Sequence, residues 1–452
     1  MPAIPAPAVV YYGDDFTGAT DTLGTAARAG LRALLFLKTP DAARLAQAGP
    51  LDVLGIAGAA RAMAPEAMQA ELAPVAALFR SLGARVLHYK TCSTFDSAPH
   101  IGSIGAAVCA LRGAVEQPWT AIVGGQPNIG RHCLFGNLFA AAGAGGEVFR
   151  IDRHPTMSRH PVTPMHEADL RLHLAKQGLT GVRSIPFTAA SQGPEALGEA
   201  LQRALRPDAG NTTGAVLFDV ADAPQLAAIG QVLWAEARRA TLLAVGPSSV
   251  VDALAGALGT RSDAQAAPPR HVAPARGPVL VLAGSLSPVT ARQVAAARSF
   301  DTVWLDAPHL AQRDAATLER HARDIAQGLA RGRNMLACTR STEQAPTAGD
   351  NKVDAQALSR AGGDLLARVL AMAPLQRVGI AGGDTSSHAV QALDAWGLSY
   401  VADMGAGASL CRVHSDDGAL DGMEIMLKGG QMGSHDVFER LVHGDVGSTP
   451  LS

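Results

Sequence analysis

Short apolar runs alternate along this chain with longer amphipathic stretches, and this alternation constrains the fold more than any other feature. In the first third, apolar runs occur at residues 8–12, 32–37, 53–56, 85–89 and 120–123. Strands that alternate with helices form βαβ units, whose sheets are mostly parallel. The sequence therefore predicts an α/β fold, in which ligands bind beyond the carboxyl ends of the strands.

The alternation restarts after a stretch that lacks an apolar period. Residues 261–278 read RSDAQAAPPRHVAPARGP, a composition typical of a linker. Apolar runs resume at 279–282 and 301–305. We therefore expect two α/β domains with mainly parallel sheets, one over residues 1–260 and one over residues 279–452, with the linker between them.

Composition excludes several classes of protein. The 452 residues include 38 Lys and Arg against 40 Asp and Glu, so the chain lacks the basic excess of a nucleic-acid-binding protein. Its apolar runs are too short to span a bilayer, and its first residues lack a positively charged signal-peptide region. The five cysteines are scattered and contain no C-x-x-C pair. We expect a reduced, cytoplasmic protein without a structural zinc site.

Two adjacent acids follow the first predicted strand. The run GDDFTGATD at residues 13–21 places Asp14 and Asp15 between that strand and a helix. Carboxylates at the carboxyl end of a strand could accept a proton from a hydroxyl or bind a divalent cation. A helix N-cap would explain one acid but not the whole run. We interpret the run as a functional loop.

A second polar run, KTCSTFDSAP at residues 90–99, follows another predicted strand. Arg61, just after the strand at 53–56, could be a further anion clamp. A helix start rich in Ser and Thr is the structural alternative, and Cys92 is interpreted as a packing thiol. The side chains of this run that suit a small, anionic, hydroxylated substrate are Lys90, Ser93, Thr94 and Ser97.

Three glycine-rich turns follow predicted strands of the second domain. They are AGSLSP at 283–288, AGGDTSS at 381–387 and LKGGQMG at 427–433. Glycine allows backbone N–H groups to point at phosphate, and a helix N-terminus adds its dipole. A plain turn with Asp384 or Thr385 as N-cap would explain one of them. Three in one domain predict a nucleotide phosphate site.

Motifs of several other enzyme classes are absent. The sequence has no Walker A motif, no complete dinucleotide fingerprint, no H-E-x-x-H and no G-x-S-x-G. His154, His160 and His166 lie within residues 150–169, but their spacing gives no common helical face and the prolines among them predict a loop. Metal binding is therefore disfavoured there, and the role of the loop at 150–167 stays open.

The runs at 13–21 and 90–99 resemble those of the four-carbon acid sugar kinase family. GGDTS at 382–386 and LKGGQMG at 427–433 resemble the nucleotide-binding half of that family. The resemblance covers nearly the whole chain in the right order. It implies an N-terminal substrate domain, a C-terminal nucleotide domain, and ATP-dependent phosphorylation of a four-carbon sugar acid. Candidate acids are 3-oxo-tetronate, threonate and erythronate, and the terminal hydroxyl is the usual acceptor.

The resemblance also implies roles for single residues. Ser285 matches an ATP-contact position, and residues 382–385 match the phosphate loop. Gly430 matches a glycine near the phosphates, although this chain has Lys-Gly-Gly where the family commonly has Lys-Ser-Gly. The predicted nucleotide contacts are Ser285, Gly382, Gly383, Asp384, Thr385, Gly429 and Gly430.

We therefore predict phosphoryl transfer from ATP to a primary alcohol, with Asp15 or Asp14 accepting the hydroxyl proton. Mg²⁺ would bridge the β- and γ-phosphates, held mainly by phosphate and water, with its protein ligand unassigned. The partners are then the acid and ATP, with no nucleic acid and no membrane, and a homo-oligomer is compatible. The predicted contacts to the acid are Arg61, Lys90, Ser93, Thr94 and Asp96.

Two other classes of function remain open from the sequence. One is a non-catalytic two-domain protein that binds a small acid. The other is a Mg²⁺-dependent acid-sugar dehydratase that uses Asp14 and Asp15. Neither would consume ATP, so ATP turnover separates both from a kinase. The stereochemistry of the acid and the hydroxyl that is phosphorylated are likewise open.

Overall fold

The computed structural model describes residues 5–143, 145–160, 162–206, 214–259, 271–284, 287–339, 354–405 and 407–445. The chain divides into two compact units, Met1–Ala267 and Pro268–Ser452. The division falls inside the predicted linker, of which residues 261–270 lie outside the described part. The end of that segment belongs to the C-terminal unit, because Val272 is buried and its N–H donates to Asp445.

The main sheet of the N-terminal unit is parallel, and a small antiparallel sheet accompanies it. The strands are β1 (Val9–Gly13), β2 (Ala33–Phe36), β3 (Val53–Ala57), β4 (Val86–Lys90), β5 (Thr120–Gly124), β6 (Arg131–Leu134), β7 (Asn137–Ala141), β8 (Val148–Arg150), β9 (Arg183–Ile185), β10 (Ala215–Asp219) and β11 (Leu242–Gly246). The parallel order is β2-β3-β1-β4-β11-β5-β10-β9, and β6-β7-β8 form the antiparallel sheet.

Helices connect these strands. They are α1 (Phe16–Arg28), α2 (Ala42–Ala48), α3 (Pro65–Leu82), α4 (Ile104–Arg112), α5 (Leu170–Ala175), α6 (Phe187–Ala190), α7 (Pro194–Leu205), α8 (Pro224–Arg239) and α9 (Ser249–Leu258). Every residue of β1, β3 and β4 is buried, as expected for a parallel sheet covered on both faces. The helices begin where their sequences provide caps: Asp15 and Asp41 each accept a bond from the first turn of their helix, and α3 begins at Pro65.

The C-terminal unit has its own mostly parallel sheet. Its strands are β12 (Leu280–Ala283), β13 (Phe300–Leu305), β14 (Asn334–Thr339), β15 (Arg377–Ala381), β16 (Gly397–Asp403), β17 (Ala408–His414) and β18 (Glu424–Lys428). Their order is β13-β14-β12-β15-β18-β17-β16, parallel up to β18 and antiparallel beyond it. Its helices are α10 (Pro288–Ala296), α11 (Ala307–Ala311), α12 (Ala315–Ala330), α13 (Ala355–Met372), α14 (Gly383–Ala392) and α15 (Val437–His443).

The predicted fold class is confirmed: both units are α/β with mainly parallel sheets. The helix after the second glycine turn runs from Gly383 to Ala392, with Gly382 as its N-cap. The run at 90–99 is not the start of a helix. Among the described helices, none combines the length and apolarity needed to cross a membrane.

Candidate active site

The acid pair lies where the strand order of the N-terminal sheet changes direction. Strand β1 has β3 on one side and β4 on the other, and Gly13 at its end is paired with Ala57 and with Lys90. The three strands therefore end level with one another. The loops that follow them meet at a topological switch point, where ligands of open α/β sheets bind.

Arg61 joins the two acids. It follows β3 in a short 3₁₀ turn, and its backbone N–H donates to the carbonyl of Asp14. Its guanidinium holds the Asp14 carboxylate through two bonds, Nη2 to Oδ1 at 2.8 Å and Nε to Oδ2 at 3.2 Å. The same Nη2 lies 2.9 Å from Oδ1 of Asp15. Because one fork contacts both carboxylates, the two acids are held side by side.

The two carboxylates differ in exposure and in ionisation. Asp14 is 4% exposed and Asp15 is 20% exposed. Burial raises the pKa of Asp14 by more than the charge of Arg61 lowers it. Burial also acts on Asp15, but the charges of Arg61 and Lys90 and the Gly18 N–H outweigh it, so the pKa of Asp15 lies below its usual value. Asp15 is therefore the accessible, ionised member of the pair.

Lys90 completes what we call the acid cluster, defined as Asp14, Asp15, Arg61 and Lys90. It is the last residue of β4 and is buried, with Nζ 4.0 Å from Oδ1 of Asp15. The side chain leaves no room at Gly18, since a Cβ there would lie 1.9 Å from Nζ. Gly18 thus makes room for the lysine.

The run after Lys90 forms a tight, fixed loop. The Thr94 hydroxyl donates to Asp96 at 2.7 Å, and both side chains are buried. Phe95 between them has φ +53°, which is strained for an aromatic residue. Ser97 and His173 hold this geometry, because both contact the Phe95 carbonyl. Thr94 and Asp96 are thus directed at each other.

Ser93 and Cys92 are half-buried beside this loop. Burial, followed by the charge of Asp96, raises the pKa of the Cys92 thiol to about 11, so it stays protonated at neutral pH. Its Sγ lies 3.0 Å from the Thr94 hydroxyl. These contacts are those of a packing thiol and not of a nucleophile.

In the C-terminal unit the glycine turns after β12, β15 and β18 come together. These strands are neighbours, and Ala381 is paired with Ala283 on one side and Lys428 on the other. The turns are bonded to each other: Gly284 N donates to Ala381 O, and Gly382 N donates to Lys428 O. We call Gly284, Gly382, Gly383, Gly429 and Gly430, together with Lys428, the glycine-turn cluster.

Backbone geometry explains two of these glycines. Gly382 has φ +123°, a conformation that side chains rarely allow, and it starts α14 without a side-chain cap. A Cβ on Gly284 would lie 2.2 Å from the hydroxyl of Thr385, which is buried in the same turn. At the start of α10, Ser287 and Thr290 both donate to the carbonyl of Gly430. The turns therefore form one backbone surface.

Lys428 lies in the third glycine turn but is not among the predicted nucleotide contacts. It ends β18 and is completely buried, with Nζ 3.2 Å from the Thr290 hydroxyl and 2.9 Å from the Gly429 carbonyl. Within the described part of the chain no carboxylate pairs with it. Burial lowers its pKa to about 8. The signal in the sequence was its position, since it directly precedes the two glycines.

Two predicted nucleotide contacts cannot be placed in the same way. Ser285 lies outside the described residues, and so does the side chain of Asp384.

Ser386, which was not predicted, is fully buried in the first turn of α14, and its Oγ has no hydrogen-bond partner among the described residues.

The histidine loop has a structural role in the part that is described. The Nδ1 of His154 accepts the N–H groups of Thr156 and Met157, and Nδ1 of His160 accepts that of Thr163. Within the described residues no three His, Cys, Asp or Glu side chains are grouped so that they could hold a metal ion.

Comparison with known proteins matches each unit to a family. Residues 9–254 match the family described as "Sugar-binding N-terminal domain", and residues 280–438 match "Nucleotide-binding C-terminal domain". A crystal structure from Salmonella typhimurium, described as a "putative tRNA synthase", is similar with a TM-score of 0.77 over 96% of this chain and 98% of that one. At 23% identity it shows a shared fold alone.

Curated relatives extend over nearly the full length. The chain is 38% identical to 3-oxo-isoapionate kinase of Paraburkholderia graminis, over 96% of this chain and 94% of the relative. It is 31% identical to 3-oxo-tetronate kinase of Cupriavidus necator, over 94% of each. Matches of this extent, together with the two domain families, show that the chain belongs to the four-carbon acid sugar kinases, a family of carbohydrate-acid kinases with a nucleotide-binding C-terminal domain.

Proposed function

We propose that this protein transfers the γ-phosphoryl group of ATP to the terminal hydroxyl of a 3-oxo sugar acid. The observation that carries the chemistry is the acid cluster, in which an ionised, accessible Asp15 is held by two cations at a switch point. The acid is proposed from the relatives: 38% identity to the 3-oxo-isoapionate kinase against 31% or less to the 3-oxo-tetronate kinases favours 3-oxo-isoapionate.

Asp15 is the proposed proton acceptor. The hydroxyl oxygen of the acid bonds to the γ-phosphorus while the bond to the β–γ bridging oxygen breaks and ADP leaves. The hydroxyl proton passes to the Asp15 carboxylate, which is ionised because Arg61 and Lys90 stabilise its charge. Asp14 is less suited to this role, since it is nearly inaccessible and already accepts from Arg61 and from the Thr91 hydroxyl.

The remaining predicted residues of this unit would bind and orient the acid. Arg61 is engaged by both carboxylates, so we assign it mainly to positioning them. Lys90 and the half-buried Ser93 are assigned to the substrate. Thr94 and Asp96 bond to each other and support the shape of the loop.

The glycine-turn cluster would hold the phosphates of ATP. The uncapped start of α14 offers backbone N–H groups, and Lys428 offers a positive charge that no described carboxylate neutralises. Gly382, Gly383, Thr385, Gly429 and Gly430 are proposed contacts on this geometry. Ser285 and Asp384 are proposed on the family resemblance alone.

The site is compatible with Mg²⁺ that is bound together with ATP. Mg²⁺ in kinases is held by substrate phosphates, water and one or two carboxylates, so it does not require a protein cage, and the described residues form none. Bound with ATP, it would neutralise charge that develops on the phosphates. The protein residues supply the position of the acceptor and the base.

ADP release measures the proposed reaction directly. The panel consists of 3-oxo-isoapionate, 3-oxo-tetronate, threonate and erythronate, each with ATP and with and without Mg²⁺. We expect turnover that requires the acid and is fastest with 3-oxo-isoapionate. Saturable binding of an acid without ADP release would indicate a non-catalytic binding protein. Conversion of an acid without ATP would indicate a dehydratase.

A further inference from the structure

Arg131 is a cation of the N-terminal unit that the proposed mechanism does not use. It begins β6, directly after the turn of residues 126–130 that follows β5. Gly130 has φ +69°, and a Cβ there would lie 2.8 Å from the side chain of Ala141. The turn therefore requires glycine at this position, and it fixes where the arginine begins.

The guanidinium of Arg131 has fewer partners than its burial would lead one to expect. The side chain is half-buried, and Nη1 donates to the carbonyl of Ile129. Its Nε is buried and has no hydrogen-bond partner among the described residues. It forms no ion pair within the described part of the chain. A guanidinium has five N–H donors arranged as a fork, so this group can accept an anionic partner.

Two observations place the turn before Arg131 at the same edge of the sheet as the acid cluster. The turn before Arg131 follows β5, which pairs with β11, and β11 pairs in parallel with β4, the strand that ends at Lys90. The turn that precedes Arg131 is bonded to helix α1, because Nε2 of Gln126 donates to Asp21 at 3.0 Å. Helix α1 begins at the residue after Asp15. The turn before Arg131 thus lies at the same sheet edge as Arg61 and Lys90, and of these three cations only Arg131 has no acid beside it among the described residues.

We infer that Arg131 binds the carboxylate of the sugar acid and so determines the preference for acids over neutral sugars. This inference rests on the proposed function. Arg61 is not equivalent, because its Nε and Nη2 are already engaged by Asp14 and Asp15. A carboxylate bound at Nη2 of Arg131, which has no partner among the described residues, would leave the hydroxyl end of a short acid to reach Asp15.

The test compares Arg131→Met and Arg131→Lys with Arg150→Met. Arg150 is the other arginine in the strands of the same small sheet, and it pairs with Asp152 at 2.6 Å, so it is the matched control. Calorimetry measures binding of the four panel acids and of the carboxamide of the acid that binds best. ADP release gives kcat/KM for the same compounds, and the KM for ATP reports on the C-terminal unit.

Arg131→Met should weaken binding of the acid roughly 10- to 100-fold, since a charge-assisted bond is lost. It should leave binding of the carboxamide and the KM for ATP unchanged. Arg131→Lys should fall between this variant and the wild type, and Arg150→Met should match the wild type. If Arg131→Met does not unfold cooperatively, Arg131→Lys decides by the same acid-to-carboxamide ratio. Wild-type binding that survives in the variants, or an equal loss for acid and carboxamide, overturns this inference alone. A wild type that neither binds nor phosphorylates any acid overturns the proposed function together with it.

Discussion

Each unit of this protein ends a central parallel strand on a buried lysine, and the two lysines have opposite surroundings. Lys90 ends β4 and lies 4.0 Å from the carboxylate of Asp15. Lys428 ends β18 and contacts a hydroxyl and a carbonyl, with no carboxylate partner among the described residues. The strand orders of the two units also correspond, since β2-β3-β1-β4 matches β13-β14-β12-β15, and β18 lies one strand beyond the counterpart of β4.

The difference fits the two kinds of ligand that we propose for the two units. In the acid cluster the positive charges are neutralised by the protein itself, so burial is tolerated without ligand and the cations adjust the ionisation of the acids. In the glycine-turn cluster the charge of the completely buried Lys428 has no carboxylate partner among the described residues. The counterpart that we propose is a nucleotide phosphate.

The largest expected effect tests the acid cluster. Asp15→Asn should lower kcat by roughly 10²- to 10⁴-fold, because the general base is lost, and should leave the KM for ATP unchanged. Asparagine caps a helix about as well as aspartate, so the bond from Gly18 N to the start of α1 is retained. Steady-state kinetics of ADP release measures both parameters.

Asp41→Asn is the matched control for that variant. Asp41 caps α2 through the N–H of Arg44 at 2.9 Å and lies outside the acid cluster. It should keep the wild-type kcat. A normal kcat in Asp15→Asn would remove Asp15 from the role of base.

The second-largest effect tests Lys428, which has no carboxylate partner among the described residues. Lys428→Met should raise the KM for ATP roughly 10- to 100-fold, since one charge-assisted contact to phosphate is lost, with little change in the KM for the acid. Burial holds the pKa of Lys428 at about 8. ATP binding by the wild type should therefore weaken as the pH rises through 8, and this dependence should be absent in the variant. Lys38→Met, at an exposed position, should alter neither property.

The stability of the wild type should rise over the same pH range in which its ATP binding weakens. The folded pKa of Lys428 is depressed to about 8 from 10.5, so between these values the unfolded chain binds more protons and stability rises with pH. Below pH 8 the cost of the buried charge is fully present. Lys428→Met should therefore raise the free energy of unfolding at pH 7 by roughly 0.5–2 kcal/mol, and the gain should disappear near pH 10.5. Chemical denaturation at the two pH values checks this, and a less stable variant at pH 7 would contradict it.

Much of the fold and several placements of site residues could be predicted from the sequence. Strands that alternate with helices imply parallel sheets, and residues after such strands lie at one edge. This is why Asp14, Arg61 and Lys90, far apart in the chain, could be expected together, and why the three glycine turns could be grouped. Their contacts with substrate and nucleotide remain proposals.

What the sequence could not provide was the pairing of charges. Spacing shows that Arg61 and Asp14 lie at one edge, but not that the guanidinium grips both acids instead of remaining free for a substrate. In the same way, nothing in the residue types distinguishes Lys90 from Lys428. Only the three-dimensional neighbours decide which cation is neutralised, and that decides which one is available for a ligand.

The third effect tests whether Arg61 acts on the acids or on the substrate. Arg61 lowers the pKa of Asp15, so Arg61→Gln should raise it and should shift the acidic limb of the kcat/KM profile to higher pH by about one unit. The variant should also be less stable, because Asp14 stays buried without its partner. Arg32→Gln breaks a similar two-bond pair with Asp52, away from the acids, and should leave the limb in place. An unshifted limb with a raised KM for the acid would instead show that Arg61 binds substrate.

The smallest effect separates glycine needed by the fold from glycine needed by a ligand. Gly382 requires its positive φ, whereas Gly383 is the first residue of α14 and a Cβ there would meet no atom of the described residues within 4 Å. Gly383→Ala should therefore keep or slightly raise stability, because alanine favours a helix, yet raise the KM for ATP roughly twofold to tenfold by obstructing the backbone N–H groups. Gly198→Ala within α7 has equally open space and should gain stability with an unchanged KM. If both variants kept the wild-type KM for ATP, phosphate would not contact the start of α14, and Lys428 would have to hold the nucleotide with the turns after β12 and β18 alone.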